Sequence, residues 1–348
     1  MTESHTSDSG SFTEAAAAVG YLDGDAAHQA SELHRRLAVP ARSLGTLEEL
    51  SVWAAGVQRR CPPEPFAQAR AVLVAADHGI AAAGVAGSPA GSAAELVELA
   101  RSGRAPVTAV ATGVPLRLLD VGVAEDTGPE LMAWKVARSS GRIDREDALS
   151  AAEVQRALAA GMAIADEELA AGADLLVVGS LSVAGSTPAS TLAAVLTDTE
   201  PVKVVGRGDG IDDAAWISKC AAIRDARRRA WPHRDDPERL LAVAGGADLA
   251  VLTGLLVQAA RRQLPVLLDG LVPSVAALLA QLASPRVARW LCAGQLSGEP
   301  AHELALRRLG LDPVLRLGIE VEQGVGALLA LPVLRGAVRT LAETAERS

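Results

Sequence analysis

Aromatic residues are scarce: Phe, Trp and Tyr together make up 2% of the 348 residues. Platforms that bind single-stranded nucleic acid stack bases on aromatic side chains, so a platform of that kind is not expected. Lysine is also rare, occurring only at Lys135, Lys203 and Lys219, and the formal net charge is -9. Because a protein that binds the phosphate backbone needs clustered cations, we expect no nucleic-acid partner.

Cysteine is nearly absent as well. Cys61, Cys220 and Cys292 lie far apart and form no CxxC pair, which argues against a thiolate zinc site and a disulfide framework. The acidic, Ser/Thr-rich start lacks the basic and apolar regions of a signal peptide. No uncharged apolar run reaches the roughly 18 residues of a membrane span. We therefore expect a cytoplasmic protein with no membrane partner.

The sequence is rich in aliphatic residues, and 49% of it is hydrophobic. Continuous apolar runs that end in Gly are typical of parallel strands buried on both faces. Such runs predict strands at residues 71–76, 116–122, 175–179, 241–246 and 265–270. A sixth strand is predicted either at 202–206 or at 289–293. Between these runs, alanine-rich segments of helical spacing lie at 93–100, 151–171, 189–196, 212–230, 250–262 and 274–282.

This alternation of strands and helices predicts a doubly wound α/β fold with a mostly parallel, Rossmann-like sheet. Two helices are predicted before the first strand, at 14–37 and 44–57, and Thr46 with Glu49 fits a capping box for the second. We expect a smaller helical domain from both chain ends. The predicted boundaries are a flexible tail at 1–12, a helical domain at 13–65 with 327–348, and a large domain at 66–326.

Ligands of open α/β sheets bind beyond the carboxyl ends of the strands, where this sequence repeatedly places Gly with Asp, Ser or Arg. Glycine lets backbone N–H groups approach an anion at the start of the next helix. In the segment 206–210, Arg207 could bind a phosphate through two hydrogen bonds, or could simply be an exposed arginine in a turn. Asp77 and His78 could form an acid/base pair or a hydrogen-bonded turn. A generic dinucleotide-dependent oxidoreductase is disfavoured because no G-x-G-x-x-G follows the first strand.

In their order and spacing, several motifs resemble the family of nicotinate-nucleotide:dimethylbenzimidazole phosphoribosyltransferases, which make α-ribazole phosphate for the lower ligand of cobalamin. The resemblance runs from about Pro40 to about Arg335 and is carried by the segments 43–50, 75–80, 119–123, 205–213, 265–270, 299–302 and 324–327. It implies transfer of phosphoribose from nicotinate mononucleotide to a heteroaromatic base, a homodimer, and neither a metal nor a cofactor. The acceptor must lose a proton in this reaction, so the family relies on a carboxylate base.

Several positions depart from the family pattern. Aligned without a gap, Gln323 stands where the family has its base glutamate, with Glu322 one place earlier, and Ser180 replaces a second glutamate. Gln295 lies where the family has a Ser-His pair, and the family's acceptor-binding segment becomes residues 86–95. A glutamine cannot take up a proton near neutral pH.

The resemblance implies three sets of site residues. The catalytic candidates are Glu322, Gln323 and Ser180. The phosphate- and ribose-binding candidates are Gly179, Gly185, Ser186, Thr187, Gly206, Arg207, Gly208, Asp209, Gly324 and Gly326. The base-binding candidates are Asp77, His78, Ala86, Glu95, Gln295 and His302.

Two readings of the function remain open at this point. The chain could be an enzyme of this family with an altered acceptor, or with Glu322 or Glu95 as its base. Alternatively, it could be a catalytically impaired paralogue that binds a nucleotide or an azole base, or that acts as a non-catalytic partner subunit.

Overall fold

The computed structural model describes residues 10–87, 93–208 and 210–346. Residues 1–9 of the predicted tail and the site candidate Asp209 lie outside the described residues. Where the description begins, Ser11 caps the first helix, α1 (Phe12–Ala17), with a capping box to Glu14. Phe12 is buried in the main core, so the last residue of the predicted tail segment packs into the fold.

In the described part of the chain, six parallel strands form one sheet in the order β2-β1-β3-β4-β5-β6. Their bounds are β1 (Ala69–Ala76), β2 (Leu116–Gly122), β3 (Leu175–Ser180), β4 (Val266–Leu268), β5 (Leu291–Gln295) and β6 (Pro313–Leu315). β1 pairs with both β2 and β3, so that Leu73 lies opposite Leu118 on one side and Gly179 on the other. The chain reverses its direction of winding between β1 and β3, which is where ligands bind in doubly wound sheets. The predicted doubly wound fold is therefore confirmed.

Helices connect the strands and follow both chain ends. Within the described residues, the remaining helices are α2 (Gly24–Arg36), α3 (Thr46–Gln58), α4 (Ala93–Arg101), α5 (Pro106–Val110), α6 (Ala151–Ala170), α7 (Ser186–Leu196), α8 (Asp213–Ala230), α9 (Pro237–Ala244), α10 (Ala247–Arg261), α11 (Leu271–Ala283), α12 (Pro300–Leu309) and α13 (Val325–Glu343). Short 3₁₀ turns lie at Gly79–Ala83, Met132–Trp134, Pro201–Lys203, Trp231–His233 and Val287–Trp290.

Helices α6 and α10 pack tightly against each other, and α10 also contacts β1 and β2. Glycine permits this close approach. A methyl group at Gly161 would meet the carbonyl of Val251, and one at Gly254 would meet the carbonyl of Leu158. The small side chains of the sequence thus serve close helix packing rather than a loose core.

One predicted strand is wrong, and of the two alternatives for the sixth strand one is found. Residues 241–244 end helix α9, which Asp236 caps and Pro237 begins, because both residues favour a helix start over a strand. Residues 202–206 form a short 3₁₀ turn and the loop after it, so the sixth predicted strand is the alternative near 289–293, found as β5. The short edge strand β6 was not predicted.

Helices from both chain ends pack together. α13 contacts α2 and α3, and Ala30, Leu37, Ala55 and Leu341 form a second, smaller core. The predicted helix at 14–37 is two helices, and the Thr46–Glu49 capping box is wrong, since Gly45 occupies the cap position of α3 without a side-chain bond. The domain boundaries at 65 and 327 stay a prediction.

Helix α13 is long and apolar enough to cross a membrane by length and composition alone. Its Ala327, Leu331 and Leu334 are buried, and the helix packs on α3, α5 and β5. In this fold α13 is a core helix.

Candidate functional site

A cavity of about 220 Å³ opens at the carboxyl edge of the sheet, beside the end of β3. It lies at the point where the winding direction reverses. Its walls come from six separate parts of the chain. The lining residues are Leu96, Ser180, Leu181, Ser182, Val183, Gly185, Ser186, Gly208, Val272, Glu299, Glu320, Val321, Glu322 and Gln323.

One wall combines a helix N-terminus with a buried cation. Gly185 and Ser186 stand at the start of α7, where backbone N–H groups point outward. From α8, the Nζ of Lys219 reaches Ser186 and donates to its Oγ at 3.0 Å. Lys219 is only 1% exposed, so its charge acts with little screening by water. This wall has the positive charge and the donors that a phosphate group needs.

Glu299 faces the same lysine from the cap position of α12. Its Oε1 lies 4.0 Å from Lys219 Nζ, and both side chains are buried. The carboxylate fits against a glycine loop, because a methyl group at either Gly206 or Gly208 would collide with it. The predicted glycine loop therefore packs on Glu299.

Glu322 forms the opposite wall. Its Oε1 accepts a hydrogen bond from the backbone N–H of Leu271 at 2.5 Å, and its Oε2 accepts one from Val272 at 3.2 Å, both in the first turn of α11. Desolvation raises the pKa of Glu322 to about 8, although the two backbone bonds favour the carboxylate. The nearby charges of Glu299 and Asp269 add to the increase.

The segment that carries Glu322 and Gln323 is fastened to the sheet. The N–H of Ser180 donates to the carbonyl of Glu322 at 2.7 Å. A side chain at Gly179 would strike Gly324, so glycine is needed there for the close approach. Gln323 and Ser180 both line the cavity, as the sequence predicts for catalytic candidates, and their roles stay predictions.

Asp269 holds the start of α13. Its Oδ2 accepts from Gly324 N–H at 2.8 Å and its Oδ1 accepts from Ala327 N–H at 3.0 Å. Burial raises the pKa of Asp269 to about 7, against these backbone bonds. Gly326 is packed so closely on Gln295 and Asp269 that no side chain would fit. Gly324 and Gly326 therefore shape the turn beneath the cavity wall.

Gln295, predicted to bind the base, holds a loop in place. Its Nε2 donates to the carbonyl of Ile319 at 2.8 Å, and its Oε1 accepts from the N–H of Ile319 at 3.3 Å. This pair of bonds fixes the backbone immediately before Glu320, which lines the cavity. The structure thus places Gln295 behind the wall.

Asp77 and His78 are buried behind the cavity. Asp77 accepts hydrogen bonds from the N–H groups of Ala93 and Ala124 at 3.2 and 2.8 Å, which ties two loops to the end of β1. His78 Nε2 lies 3.1 Å from Asp248 Oδ2.

The other predicted residues lie around the cavity rather than along its walls. Glu95 is exposed in the first turn of α4, and Ala86 is half-buried before that helix. Arg207 binds Asp213 and the carbonyl of Ile211. Thr187 is fully buried in α7.

His302 supports the loop that carries Glu299. Its Nδ1 accepts from the N–H of Ser297 at 3.1 Å and lies 2.8 Å from the Ser297 Oγ. Burial lowers the pKa of His302 to about 4, so the ring is neutral at neutral pH. His302 therefore fixes the turn between β5 and α12.

Sequence reasoning missed five polar residues at or next to the cavity: Lys219, Glu299, Glu320, Ser182 and Asp248. Lys219 had a usable signal, since it is a rare lysine in a chain whose other cations are almost all arginine. Glu299 belongs to a segment that carried the resemblance. The contact between Ser182 and Asp248 gave no signal, because it joins positions 66 residues apart.

The amino-acid sequence is similar to that of proteins from a known family. A family model described as "Phosphoribosyltransferase" matches residues 19–348. The chain belongs to the nicotinate-nucleotide:dimethylbenzimidazole phosphoribosyltransferase family. The nicotinate-nucleotide–dimethylbenzimidazole phosphoribosyltransferase of Mycobacterium tuberculosis is 47% identical over 326 residues, which cover 92% of this chain and 90% of that protein. The protein of the same name from Streptomyces avermitilis is 46% identical, covering 92% and 87%.

Solved structures agree with this assignment. The crystal structure of CobT from Thermus thermophilus matches with a TM-score of 0.88 at 35% identity, over 92% of this chain and 97% of that one. The predicted membership of the nicotinate-nucleotide:dimethylbenzimidazole phosphoribosyltransferase family is thus confirmed. Among the residues that the structure describes, no group of three His, Cys, Asp or Glu side chains is placed to hold a metal ion.

Proposed function

We propose that this chain transfers phosphoribose from nicotinate mononucleotide to a ring nitrogen of a benzimidazole-type base. One observation carries the proposal: Ser186, whose hydroxyl accepts a hydrogen bond from the buried Lys219, and Glu322, a carboxyl of raised pKa, line the same cavity. The phosphate of the nucleotide and a benzimidazole ring that must lose a proton could therefore be held in the same cavity. The names of the relatives specify the same pair of substrates.

The chemistry requires one proton acceptor. The acceptor nitrogen attacks the anomeric carbon of the sugar, and the bond from that carbon to the pyridinium nitrogen breaks. The electron pair of this bond neutralises the pyridinium, so nicotinate departs without an acid. The acceptor ring loses its N–H proton, which a general base must take up.

We assign this proton to Glu322. Its raised pKa of about 8 keeps much of the group protonated at neutral pH. A pyridinium cation bound nearby would favour the carboxylate and lower that pKa. The base would then be ionised when the positively charged pyridinium ring of the substrate lies beside it.

We assign the phosphate to the wall formed by Ser186, Gly208 and Lys219. The N-terminus of α7 and the lysine both favour an anion. Glu299 next to Lys219 would keep this wall from being strongly cationic, so binding would depend on short contacts to the lysine rather than on long-range attraction.

We further propose that the protein acts in the cytoplasm as a homodimer, as the family resemblance implies. Leu317, Val321 and Leu329 are exposed apolar residues on the segment around the cavity loop and on α13. They offer apolar area for a second copy. Light scattering coupled to gel filtration would give the mass, and a monomeric mass at micromolar concentration would refute the dimer.

A second candidate function rests on Gln323. This amide stands where the resemblance places the base glutamate, and it borders the cavity. If Glu322 cannot serve as the base, the chain is a catalytically impaired paralogue that binds a nucleotide or an azole base, or that pairs with another subunit.

Incubation of the purified protein with nicotinate mononucleotide and a panel of benzimidazoles separates the two candidates. Nicotinate release that depends on the acceptor and is lost in Glu322→Gln supports the enzyme. Thermal stabilisation by either ligand without turnover supports the impaired paralogue. Turnover that appears only in Gln323→Glu would also favour the paralogue, whereas Glu303→Gln, an exposed change on α12, is the matched control.

A further inference from the structure

A chain of hydrogen bonds runs from the cavity into the protein interior. The hydroxyl of Ser180 donates to Ser182 Oγ at 2.8 Å, and the hydroxyl of Ser182 donates to Asp248 Oδ2 at 2.6 Å. The same oxygen of Asp248 lies 3.1 Å from His78 Nε2. Ser180 and Ser182 line the cavity, whereas Asp248 and His78 are buried behind it.

Asp248 is an ionised anchor for this chain. Burial alone would raise the pKa of Asp248, but the charge of His78 and the bonds from His78, Ser182 and the N–H of Leu249 together lower it. A carboxylate can only accept hydrogen bonds. His78 Nε2 must therefore carry a hydrogen toward it, and Ser182 must donate to it.

The direction of the chain then follows from the number of hydrogens. A serine hydroxyl has a single hydrogen to donate. Because Ser182 gives its hydrogen to Asp248, its oxygen is left to accept from Ser180. Ser180 gives its own hydrogen to Ser182, so only lone pairs of Ser180 Oγ face the cavity.

The spacing around this chain is tight. A methyl group at Gly185, a cavity-lining residue, would lie only 2.9 Å from the Cβ of Ser182. A methyl group at Gly246 would collide with the ring of His78. Glycine at these two positions lets the backbone pack directly against Ser182 and the ring of His78.

We propose that His78, Asp248 and Ser182 are positioning residues that make Ser180 an obligate hydrogen-bond acceptor toward a donor group of the bound ligand. The inference rests on the proposed function for the identity of the ligands. It assigns to a neutral serine the acceptor property that a carboxylate would have. The donor is either a ribose hydroxyl of the nucleotide or the ring N–H of the acceptor base.

Binding measurements can test whether Ser180 acts only as a hydrogen-bond acceptor toward the ligand. The dissociation constants of nicotinate mononucleotide, its 2′-deoxy and 3′-deoxy analogues, dimethylbenzimidazole and its N-methyl derivative are measured by calorimetry. For the wild-type protein, the analogue that lacks the recognised donor should bind about 2- to 12-fold more weakly than its parent, the range that one net hydrogen bond gives. The affected analogue shows whether the sugar or the base supplies the donor.

The measured quantity is the ratio of the dissociation constant of the affected analogue to that of its parent ligand. Three variants should reduce this ratio toward one. Ser180→Ala removes the acceptor, Ser182→Ala frees the Ser180 hydroxyl to rotate, and Asp248→Asn lets an amide donate to Ser182 and reverse the chain. Ser102→Ala, an exposed change at the end of α4, should keep the wild-type ratio. If Asp248→Asn fails to fold, Ser182→Ala still decides the question, because it removes only a hydroxyl.

The outcomes separate this inference from the proposed function. A wild-type ratio that persists in Ser182→Ala would overturn the inference and leave the enzymatic activity untouched. Tight binding that prefers the parent ligand to its analogue, without turnover, would instead contradict the enzymatic activity and support Ser180 as a hydrogen-bond acceptor. Absence of binding of every ligand would refute both.

Discussion

The Glu322 Oε1 accepts the backbone N–H of Leu271 at 2.5 Å, so the carboxyl that borders the cavity is tied to the first turn of α11. The positive end of a helix favours a carboxylate, whereas desolvation opposes it. The result is a raised pKa of about 8. Glu322 can therefore exist in both protonation states near neutral pH, as a general base requires.

If Glu322 is the base, Glu322→Gln should lower kcat by about 10²- to 10⁴-fold, the contribution of a positioned general base. In the wild-type protein kcat/KM for nicotinate release should rise with pH toward a midpoint near 8, because this constant reports the free enzyme and only the carboxylate accepts a proton. The midpoint for kcat should lie at lower pH, since the bound pyridinium favours the carboxylate. Profiles from pH 6 to 9 measure both constants. A wild-type kcat/KM that is flat over this range would contradict the assignment.

The same group should affect stability. Between its ordinary pKa of 4.5 and about 8, the unfolded chain releases this proton while the folded protein retains it. The contribution of Glu322 to the free energy of unfolding is therefore fully present below pH 4.5 and is lost as the pH rises through about 8. Urea unfolding of Glu322→Gln should show a smaller decrease in the free energy of unfolding between pH 5 and pH 8, with part of the slope remaining from Asp269.

Lys219→Met tests the phosphate wall. Loss of the buried ammonium should weaken binding of nicotinate mononucleotide by about 10- to 100-fold, because hydrogen bonds to charged groups contribute about 1.5–3 kcal/mol. The affinity for dimethylbenzimidazole should change much less. Lys203→Met removes an exposed lysine and serves as the control. Equal weakening of both ligands would indicate general damage to the cavity instead.

Gln295→Met tests the loop restraint. The variant keeps the side-chain length but loses both bonds to Ile319, so the segment between β6 and α13 should open more often. Trypsin should cleave after the exposed Arg316 several-fold faster than in the wild-type protein. The exposed change Gln29→Met should leave the cleavage rate unchanged. Unaltered cleavage in Gln295→Met would show that other contacts suffice.

Gly206→Ala tests the packing of Glu299 on the glycine loop. The added methyl would collide with the Glu299 carboxylate and push it away from Lys219. We expect at least a ~10-fold loss of nicotinate release with a destabilisation of about 1–3 kcal/mol, as for an overpacked core. Gly24→Ala, where nothing lies within 4 Å of the new methyl, is the matched control. Wild-type turnover in Gly206→Ala would show that Glu299 can move freely.

Most of the sheet could be predicted from the sequence, because continuous apolar runs that end in Gly are typical of buried parallel strands. The run at 241–246 misled because a short apolar segment can be strand or helix, and here the start signals Asp236 and Pro237 decide for the helix. Strand β6 has three residues and lies at the sheet edge, so it has no periodic pattern to detect.

The site was harder to predict than the fold. Glycines and the segment around Glu322 could be located, since they follow strand ends and match family motifs. The contacts of Lys219 with Ser186 and of Ser182 with Asp248 join distant parts of the chain. Such pairs depend on the three-dimensional packing, which local sequence does not encode.

The cavity wall around Glu320 and Glu322 is attached through the Gln295 side chain, the Ser180 amide and the amides of α11. Gln295 and the Ser180 amide bind main-chain atoms of the wall, at Ile319 and Glu322, and neither bond involves the side chain of Gln323. A mutation at position 323 can therefore change a side chain that lines the cavity while these attachments of its wall are kept. In this fold the side chain at position 323 and the main-chain path of the cavity wall can therefore change independently during evolution.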